Sequence, residues 1–157
     1  SDGGGDPRSP GYWQLWNACA ADNRADVAAA NGGREAGWVL MDDLLADPGI
    51  QIGDLAVVTC EQGLALLAGG GEINNQVDAA VYDLAAQMLA AELNLNLGAE
   101  SCPIAEEAVL GGHILLSDLG FDGQGEYAAQ ISEETAVSLA QLVELLQLYN
   151  SGALCVV

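Results

Sequence analysis

The chain has 157 residues, 51% of them hydrophobic, and it combines 23 Asp and Glu with three Arg and no Lys, which gives a formal net charge of −20. A chain of this length can form one domain that buries roughly 70% of the surface exposed when it is unfolded. A surface this acidic repels the phosphates of nucleic acids and of anionic lipids, so we expect neither nucleic acid nor a membrane as a partner.

The first ten residues are rich in Gly, Pro and Asp. Because such a segment cannot bury apolar surface, we predict a flexible arm over residues 1–10 and a single helical domain over residues 11–157. The arm also lacks the basic start and the apolar stretch of a signal peptide, so an exported protein would begin at a processed N-terminus.

An aromatic cluster follows the arm. Tyr12, Trp13 and Trp16 lie within five residues of each other in a chain with only 5% aromatic residues. Flat rings of this kind suit either packing of the N-terminus on the core or a stacking surface for a glycan or peptide. Packing is the favoured interpretation, because a disulfide at the nearby Cys19 would fix the same segment. The three rings are the candidate contacts for a ligand or a second subunit.

Two stretches between residues 22 and 46 predict helical structure. Residues 22–33 are small and polar, which is typical of a loop or of a short helix that ends at Asn31. Residues 35–46 place Trp38 and Met41 on one face and predict a helix that stops at the following Asp-Pro-Gly.

A short extended segment and a capped helix come next. Residues 50–57 alternate loosely in polarity, which indicates extended structure, although Gly53 and Asp54 argue against an isolated strand. Thr59 and Gln62 have the spacing of a capping box and predict a short helix that ends at the glycines beginning with Gly69.

The longest helical pattern runs over residues 77–97. Apolar residues recur there at spacings of three and four, in a stripe wide enough to predict a central helix covered on several sides. The segment carries charges and is too short to span a bilayer, so we expect no membrane insertion and infer that other helices bury it.

Two further helices are predicted towards the C-terminus. The first is capped by Ser101 and contains Gly111 and Gly112, which predict either a break or a close crossing with another helix. Its predicted apolar side consists of Ile104, Ala108, Leu115 and Leu119. The second begins after Ser132, and a short apolar tail, residues 153–157, should dock on the protein.

The four cysteines are far apart, and the chain contains a single His, so a zinc site is not expected. They are Cys19, Cys60, Cys102 and Cys155. Their even number and long separations predict two disulfides, and hence an extracellular or cell-surface location, with buried free thiols as the alternative. Three pairings are open. We prefer Cys19 with Cys155, tying the ends, and Cys60 with Cys102, joining two helix starts.

The sequence offers one candidate calcium site and no catalytic motif. Asp118, Asp122 and Glu126 are spaced four apart in a stretch with two glycines, and calcium prefers such oxygen ligands. The stretch lacks the ligand spacing of an EF-hand, so weak cation binding spread over many carboxylates is the favoured interpretation. His113 has no nucleophile at a recognisable spacing, and we therefore predict a protein that is not an enzyme and needs no cofactor.

Three stretches together resemble a known type of domain. They are GYWQLW, GIQIGDLAV before TCEQGLALL, and DLAAQMLAAELNLNLGAESC followed by GFDGQGEY. They are similar to an uncharacterised all-helical domain of secreted and cell-surface bacterial proteins, over most of residues 11–155. The resemblance implies the fold and the location. Its motifs are packing and turn signals, so it implies no catalytic residue.

We therefore predict an all-α fold, a disulfide-stapled bundle of about five helices around the central helix, with an irregular arm and a short apolar tail. The predicted function is that of an extracellular structural or cell-surface protein that self-associates into an oligomer, filament or layer. Insertion of the arm or tail into a neighbour would give a head-to-tail contact that does not close. The alternative is a secreted module that binds a glycan or peptide through the aromatic cluster.

Overall fold

The computed structural model describes residues 6–46 and 48–155, which form seven α-helices, two short 3₁₀ helices and one β-hairpin. The helices are α1 (Pro10–Leu15), α2 (Ala25–Ala30), α3 (Met41–Leu44), α4 (Cys60–Leu67), α5 (Gln76–Leu97), α6 (Pro103–Leu119) and α7 (Glu133–Asn150). The strands are β1 (Ile50–Ile52) and β2 (Leu55–Val57), and the 3₁₀ helices are Gly33–Ala36 and Ala128–Gln130. The predominantly helical prediction is confirmed, while the small sheet makes the all-α class approximate.

The core is built around α5, as the sequence predicts. Asn75 caps its N-terminus by accepting from the N–H groups of Val77 and Asp78, and Gly98 ends it in a left-handed conformation with a φ of 91°. Eleven of its residues are buried, and α1, α3, α4, α6, α7 and β1 all contact it. Ala residues on several faces let these neighbours approach closely. Because neighbours cover the helix on several sides, its apolar residues are not confined to one side.

The predicted helix over residues 35–46 is wrong. The chain forms a 3₁₀ helix that ends at Gly37, whose φ of 87° interrupts the helical path, then an extended stretch, and then the short α3. The N–H of Met41 donates to the carbonyl of Trp16 at 2.9 Å, so the extended stretch is tied to the segment after α1. The Met41 N–H is therefore satisfied by this tertiary hydrogen bond, and not by a carbonyl of a continuing helix.

The predicted extended segment is confirmed as two antiparallel strands. Ile50 pairs with Val57 and Ile52 with Leu55, leaving a two-residue turn. Gly53, the first turn residue, has a φ of 60°, as a type II′ hairpin turn requires. The Gly and Asp that argue against an isolated strand are therefore the residues that join the pair.

The helix ends follow the predicted caps with one shift. Gln62 N–H donates to Thr59 Oγ1 at 3.1 Å while the Thr59 N–H donates to Gln62 Oε1 at 3.0 Å, so the capping box is confirmed. The N-cap of α6 is Cys102, one residue after the predicted Ser101, whose hydroxyl instead donates to Glu106. Ser132 caps α7 as predicted.

The buried side of α6 differs from the predicted one. Ile104 is 54% exposed, and the helix turns a narrower face to the core. That buried face consists of Ala105, Ala108, Val109, Gly112 and Leu116. The close crossing predicted from the glycine pair is confirmed, because a Cβ on Gly112 would overlap the sulfur of Met88 on α5.

The preferred disulfide pairing is wrong. The bonds are Cys19–Cys60 and Cys102–Cys155, with Cα atoms 6.1 and 5.5 Å apart. The reason is helix packing: α1 lies against α4, which brings Cys19 to the first residue of α4. In the same way α7 packs beside α6, and the chain after α7 returns to the start of α6.

The parts of the arm and tail that the structure describes are attached to the domain. The main-chain N–H and carbonyl of Arg8 both bond to the side chain of Asn94, each at 2.8 Å. Leu154 and Cys155 in the tail pack against the core. Residues 1–5, 156 and 157, which belong to the predicted arm and tail, lie outside the described residues. Among the described helices, none has the length and apolarity needed to cross a membrane.

Candidate functional site

Three aromatic side chains form a half-buried stack at the N-terminal side of the domain, which we call the aromatic ladder: Tyr12, Trp16 and Trp38. The Tyr12 and Trp16 rings are stacked with centroids 5.6 Å apart, and Trp38 lies 5.4 Å from Trp16 at an angle of 34°. Tyr12 and Trp16 share a side because they are four residues apart across the end of α1. Tyr12 and Trp16, two of the three residues predicted to contact a ligand or a second subunit, therefore lie together in the ladder.

Trp13 is not part of this surface. Its side chain is 0% exposed and its indole Nε1 donates to Asn94 Oδ1 at 3.2 Å. Its ring meets Tyr12 edge-on with centroids 5.0 Å apart. The prediction that Trp13 contacts a ligand is therefore wrong, because this position of α1 faces α5. The packing interpretation holds for this ring.

Trp38 belongs to the ladder although the sequence reasoning assigned it to a helix face. The local pattern around Trp38 gives no sign of its partner, because the contact depends on the extended stretch after Gly37. Two bonds hold that stretch against the segment after α1: Met41 N–H to Trp16, and Ala18 N–H to Asp42 Oδ1 at 2.9 Å. The presence of a third Trp in an aromatic-poor chain was the one signal available.

Two of the three Arg residues flank the ladder. The Arg8 guanidinium carbon lies 4.8 Å from the centroid of the Tyr12 ring, and that of Arg24 lies 5.9 Å from the Trp16 ring, within the range of a cation–π contact. Both Arg residues are exposed. Burial raises the pKa of the Tyr12 hydroxyl, and the nearby Arg8 charge partly opposes that rise. The ladder thus combines aromatic rings with two Arg side chains, on a protein with a net charge of −20.

A second surface lies on the outward sides of α6 and α7, opposite the faces that they bury. Its apolar members are Leu110, Ile114 and Val137, which are 60%, 54% and 59% exposed. Its exposed carboxylates are Glu107, Asp118 and Glu144. We call these six residues the outer α6–α7 face. At about 100° per residue, Leu110, Ile114 and Glu107 fall on one arc of α6, pointing away from the buried face.

A groove of about 460 Å³ runs between the two helices beside this face. Ile114, Leu115 and Leu142 line it, together with Asp118 and Ser138. The helices approach closely here, as Gly111 shows. A Cβ added to Gly111 would lie only 3.2 Å from the Leu142 side chain. The groove is therefore mainly apolar with polar edges.

The structure does not bring the candidate calcium ligands together. Asp122 accepts from the Tyr127 hydroxyl at 2.9 Å and from the Gln124 N–H at 3.0 Å, and the Tyr127 bond holds its pKa below the usual value. Asp118 belongs to the outer α6–α7 face, and Glu126 is exposed. Within residues 6–46 and 48–155 no three acidic, His or Cys side chains converge on a metal position. The predicted calcium site is therefore not formed by the described residues. Its central carboxylate, Asp122, instead accepts hydrogen bonds within its own loop.

The His113 side chain lies against α5 and is partly exposed to solvent. Its Nε2 lies 2.5 Å from Glu92 Oε2, and both side chains are less than one-third exposed. The pair borders a polar pocket of about 430 Å³ together with Gln51, Asn96 and Ser117. Among the described residues, no hydrogen bond joins Ser117 to His113.

Comparison of the chain with known protein families, curated proteins and solved structures gave no match. The resemblance to a secreted helical domain therefore stays a prediction. The aromatic ladder and the outer α6–α7 face are the two surfaces from which a function can be inferred.

Proposed function

We propose that this protein is an extracellular structural or cell-surface protein that self-associates through the outer α6–α7 face into a filament or layer. The observation that carries the proposal is the exposure of Leu110, Ile114 and Val137 on the outward sides of two adjacent helices. Outward faces of surface helices are normally polar, whereas Leu110 and Ile114, one turn apart on α6, and Val137 on α7 leave apolar side chains exposed there.

The chemistry of the chain supports an extracellular setting. All four cysteines are paired in two disulfides, which are typical of oxidising compartments. Each disulfide joins chain segments at or beside helix ends, and therefore stabilises the folded domain. A stable unit with an apolar outer face is suited to repeated assembly. The proposed role is structural, with no catalytic step.

A second copy of the chain is the proposed occupant of the face. Copies that each carry a net charge of −20 repel one another, so the contact must include the limited cationic surface that the chain has. The exposed Arg residues of the ladder supply it.

The test is the oligomeric state of the full chain. We expect light scattering after size-exclusion chromatography to show species larger than the 16.1 kDa monomer that grow with concentration, and negative-stain microscopy to show ordered polymers. The double variant Leu110→Glu/Ile114→Glu should be monomeric with an unchanged helical circular dichroism spectrum. Val58→Glu is the matched control, since Val58 is 47% exposed and lies outside the face.

Two results would contradict the proposal. One is a wild-type protein that stays monomeric at every concentration. The other is a Val58→Glu variant that dissociates as fully as the double variant, because the effect would then come from added charge alone.

The second candidate function, a secreted module that binds a glycan or peptide, is favoured by the partial exposure of Tyr12, Trp16 and Trp38. Neutral oligosaccharides or peptides that stack on these rings should change Trp fluorescence in a saturable way. Trp38→Ala should abolish that change, whereas Leu15→Ala, at an exposed neighbouring position, should not. An unchanged fluorescence signal across a ligand panel would remove this candidate.

A further inference from the structure

The Arg residues of this chain are confined to its N-terminal part, which also contains four of the 23 acidic residues. All three Arg residues lie within the first 34 residues, whereas residues 35–157 carry 19 of the 23 acidic residues and neither Arg nor Lys. Arg34 is 3.7 Å from Asp43, so its charge is already opposed within the chain. Arg8 and Arg24, the two that flank the aromatic ladder, are therefore the main exposed cations.

The ladder and the outer α6–α7 face are chemically complementary. The ladder presents aromatic rings beside two guanidinium groups. The outer face presents aliphatic side chains beside carboxylates, and no cation follows in the sequence from residue 35 onward. Apolar centres flanked by opposite charges fit the anatomy of a specific interface, in which Arg and aromatic residues are enriched.

The two surfaces occupy different places on the molecule. The main chain at Arg8 is bonded to Asn94, which in turn bonds to Asn150 at the end of α7. Val137 lies 13 residues earlier on the same helix, which is about 20 Å away along its axis at 1.5 Å per residue. Val137, near the far end of α7, is therefore remote from the ladder of its own copy.

We propose that the aromatic ladder of one copy docks on the outer α6–α7 face of the next copy. The contact joins two different surfaces, so it is head-to-tail, and repetition produces an open chain of subunits unless the rotation closes a ring. Arg8 and Arg24 pair with carboxylates such as Glu107, Asp118 and Glu144, while the rings cover Leu110 and Ile114. This inference rests on the proposed self-association and specifies its partner surface.

The test uses two variants that each disable one surface of the full chain. The ladder variant is Arg8→Gln/Arg24→Gln, and its matched control is Arg34→Gln, which removes the same charge away from the rings. The face variant is Leu110→Glu/Ile114→Glu. Each variant is first checked by circular dichroism. If the ladder variant does not fold, the single change Arg24→Gln replaces it. If the face variant does not fold, the single change Ile114→Ser replaces it.

The expected result is complementation. Each variant alone should associate at least roughly tenfold more weakly than the wild type, because charged partners and apolar anchors contribute much of the binding energy at such contacts. An equimolar mixture should form a 1:1 heterodimer of about twice the monomer mass and go no further, since the mixture contains one intact ladder and one intact face per pair. Arg34→Gln should assemble like the wild type.

Two outcomes would overturn this inference while leaving the proposed function intact. In the first, the wild type assembles and the ladder variant assembles equally well, as expected if two outer faces meet symmetrically. In the second, the mixture contains no heterodimer. A wild-type protein that remains monomeric would overturn both the inference and the proposed function.

Discussion

At the scale of single residues, Asn94 joins three parts of the chain at the centre of the fold. Its side chain is 0% exposed, accepts from Arg8 N–H and Trp13 Nε1, and donates to the carbonyl of Arg8 and to Asn150 Oδ1. All four of its hydrogen-bonding positions are used. One amide therefore fixes α1, α5 and the end of α7 relative to one another.

Asn94→Ala should destabilise the domain by about 2–4 kcal/mol, because it leaves several buried donors and acceptors without partners, each costing about 1–3 kcal/mol with partial relaxation. Urea unfolding followed by circular dichroism measures the loss. The control is Asn96→Ala, an exposed position two residues further along α5 that bonds only within its own helix. Equal stabilities of the two variants would show that the buried network is unimportant.

The tyrosines determine how the fold responds to alkali. Burial raises the pKa of Tyr127 and of Tyr149 to about 12, and it also raises the pKa of Tyr82. The usual value in an unfolded chain is about 10. With no Lys in the sequence and all cysteines paired, tyrosines are the side chains that titrate in this range.

Stability should therefore be fully present below about pH 10 and decrease as the pH rises towards about 12, because the unfolded chain releases protons that the folded chain retains. Urea unfolding at a series of alkaline pH values measures the slope. Tyr149→Phe should make the slope shallower, since it removes one of the raised groups. A slope that is unchanged in this variant would contradict the assignment.

At the scale of elements, the junction of α4 and α5 depends on one glycine. A Cβ on Gly70 would overlap the carbonyl oxygen of Ala79 and lie 2.6 Å from its Cα, whereas a Cβ on the adjacent Gly71 would meet nothing within 4 Å. The obstacle is backbone, which cannot rotate away as a side chain can. The turn after α4 is therefore as close to α5 as the two main chains allow.

Gly70→Ala should lower the free energy of unfolding by about 1–3 kcal/mol or more through overpacking, and Gly71→Ala should change it by less than about 0.5 kcal/mol. Thermal unfolding of the two variants in parallel makes the comparison, because they differ only in the position of one methyl group. A Gly70→Ala variant as stable as Gly71→Ala would show that the turn after α4 can move away from α5 at little cost.

The elements also show where local sequence signals suffice. The capping box at Thr59, the N-cap at Ser132 and the pattern of α5 are short-range features, and each predicted its helix. The helix predicted over residues 35–46 failed because hydrogen bonds to the segment after α1 outweighed a weak local preference. The face of α6 was misassigned for a related reason: small residues pack against α5, leaving Ile104 outside.

At the scale of the whole molecule, the net charge of −20 opposes compactness and association alike. Salt shortens the range of this repulsion from about 30 Å at 0.01 M to about 3 Å at 1 M. The structure distributes the carboxylates over the surface, with no three of the described ones converging on a metal position. Cations should therefore act by screening.

The thermal midpoint of the assembly-deficient face variant should rise between low salt and about 0.5 M NaCl, since screening relieves self-repulsion within the folded monomer. Calcium and magnesium chlorides at equal ionic strength should give equal midpoints. Differential scanning calorimetry measures the thermal midpoint in sodium, calcium and magnesium chloride. A midpoint raised by calcium well above the magnesium value would restore a specific calcium site.

The sequence by itself determined the helical class, the central helix, the presence of two disulfides and the acidic surface, because composition, periodicity and caps act over a few residues. Only the tertiary structure decided which cysteines pair, that Trp13 is buried while Trp38 joins the ladder, and that α6 turns apolar residues outward. Those outcomes depend on which helices touch, and contacts between residues far apart in the chain leave no local signal.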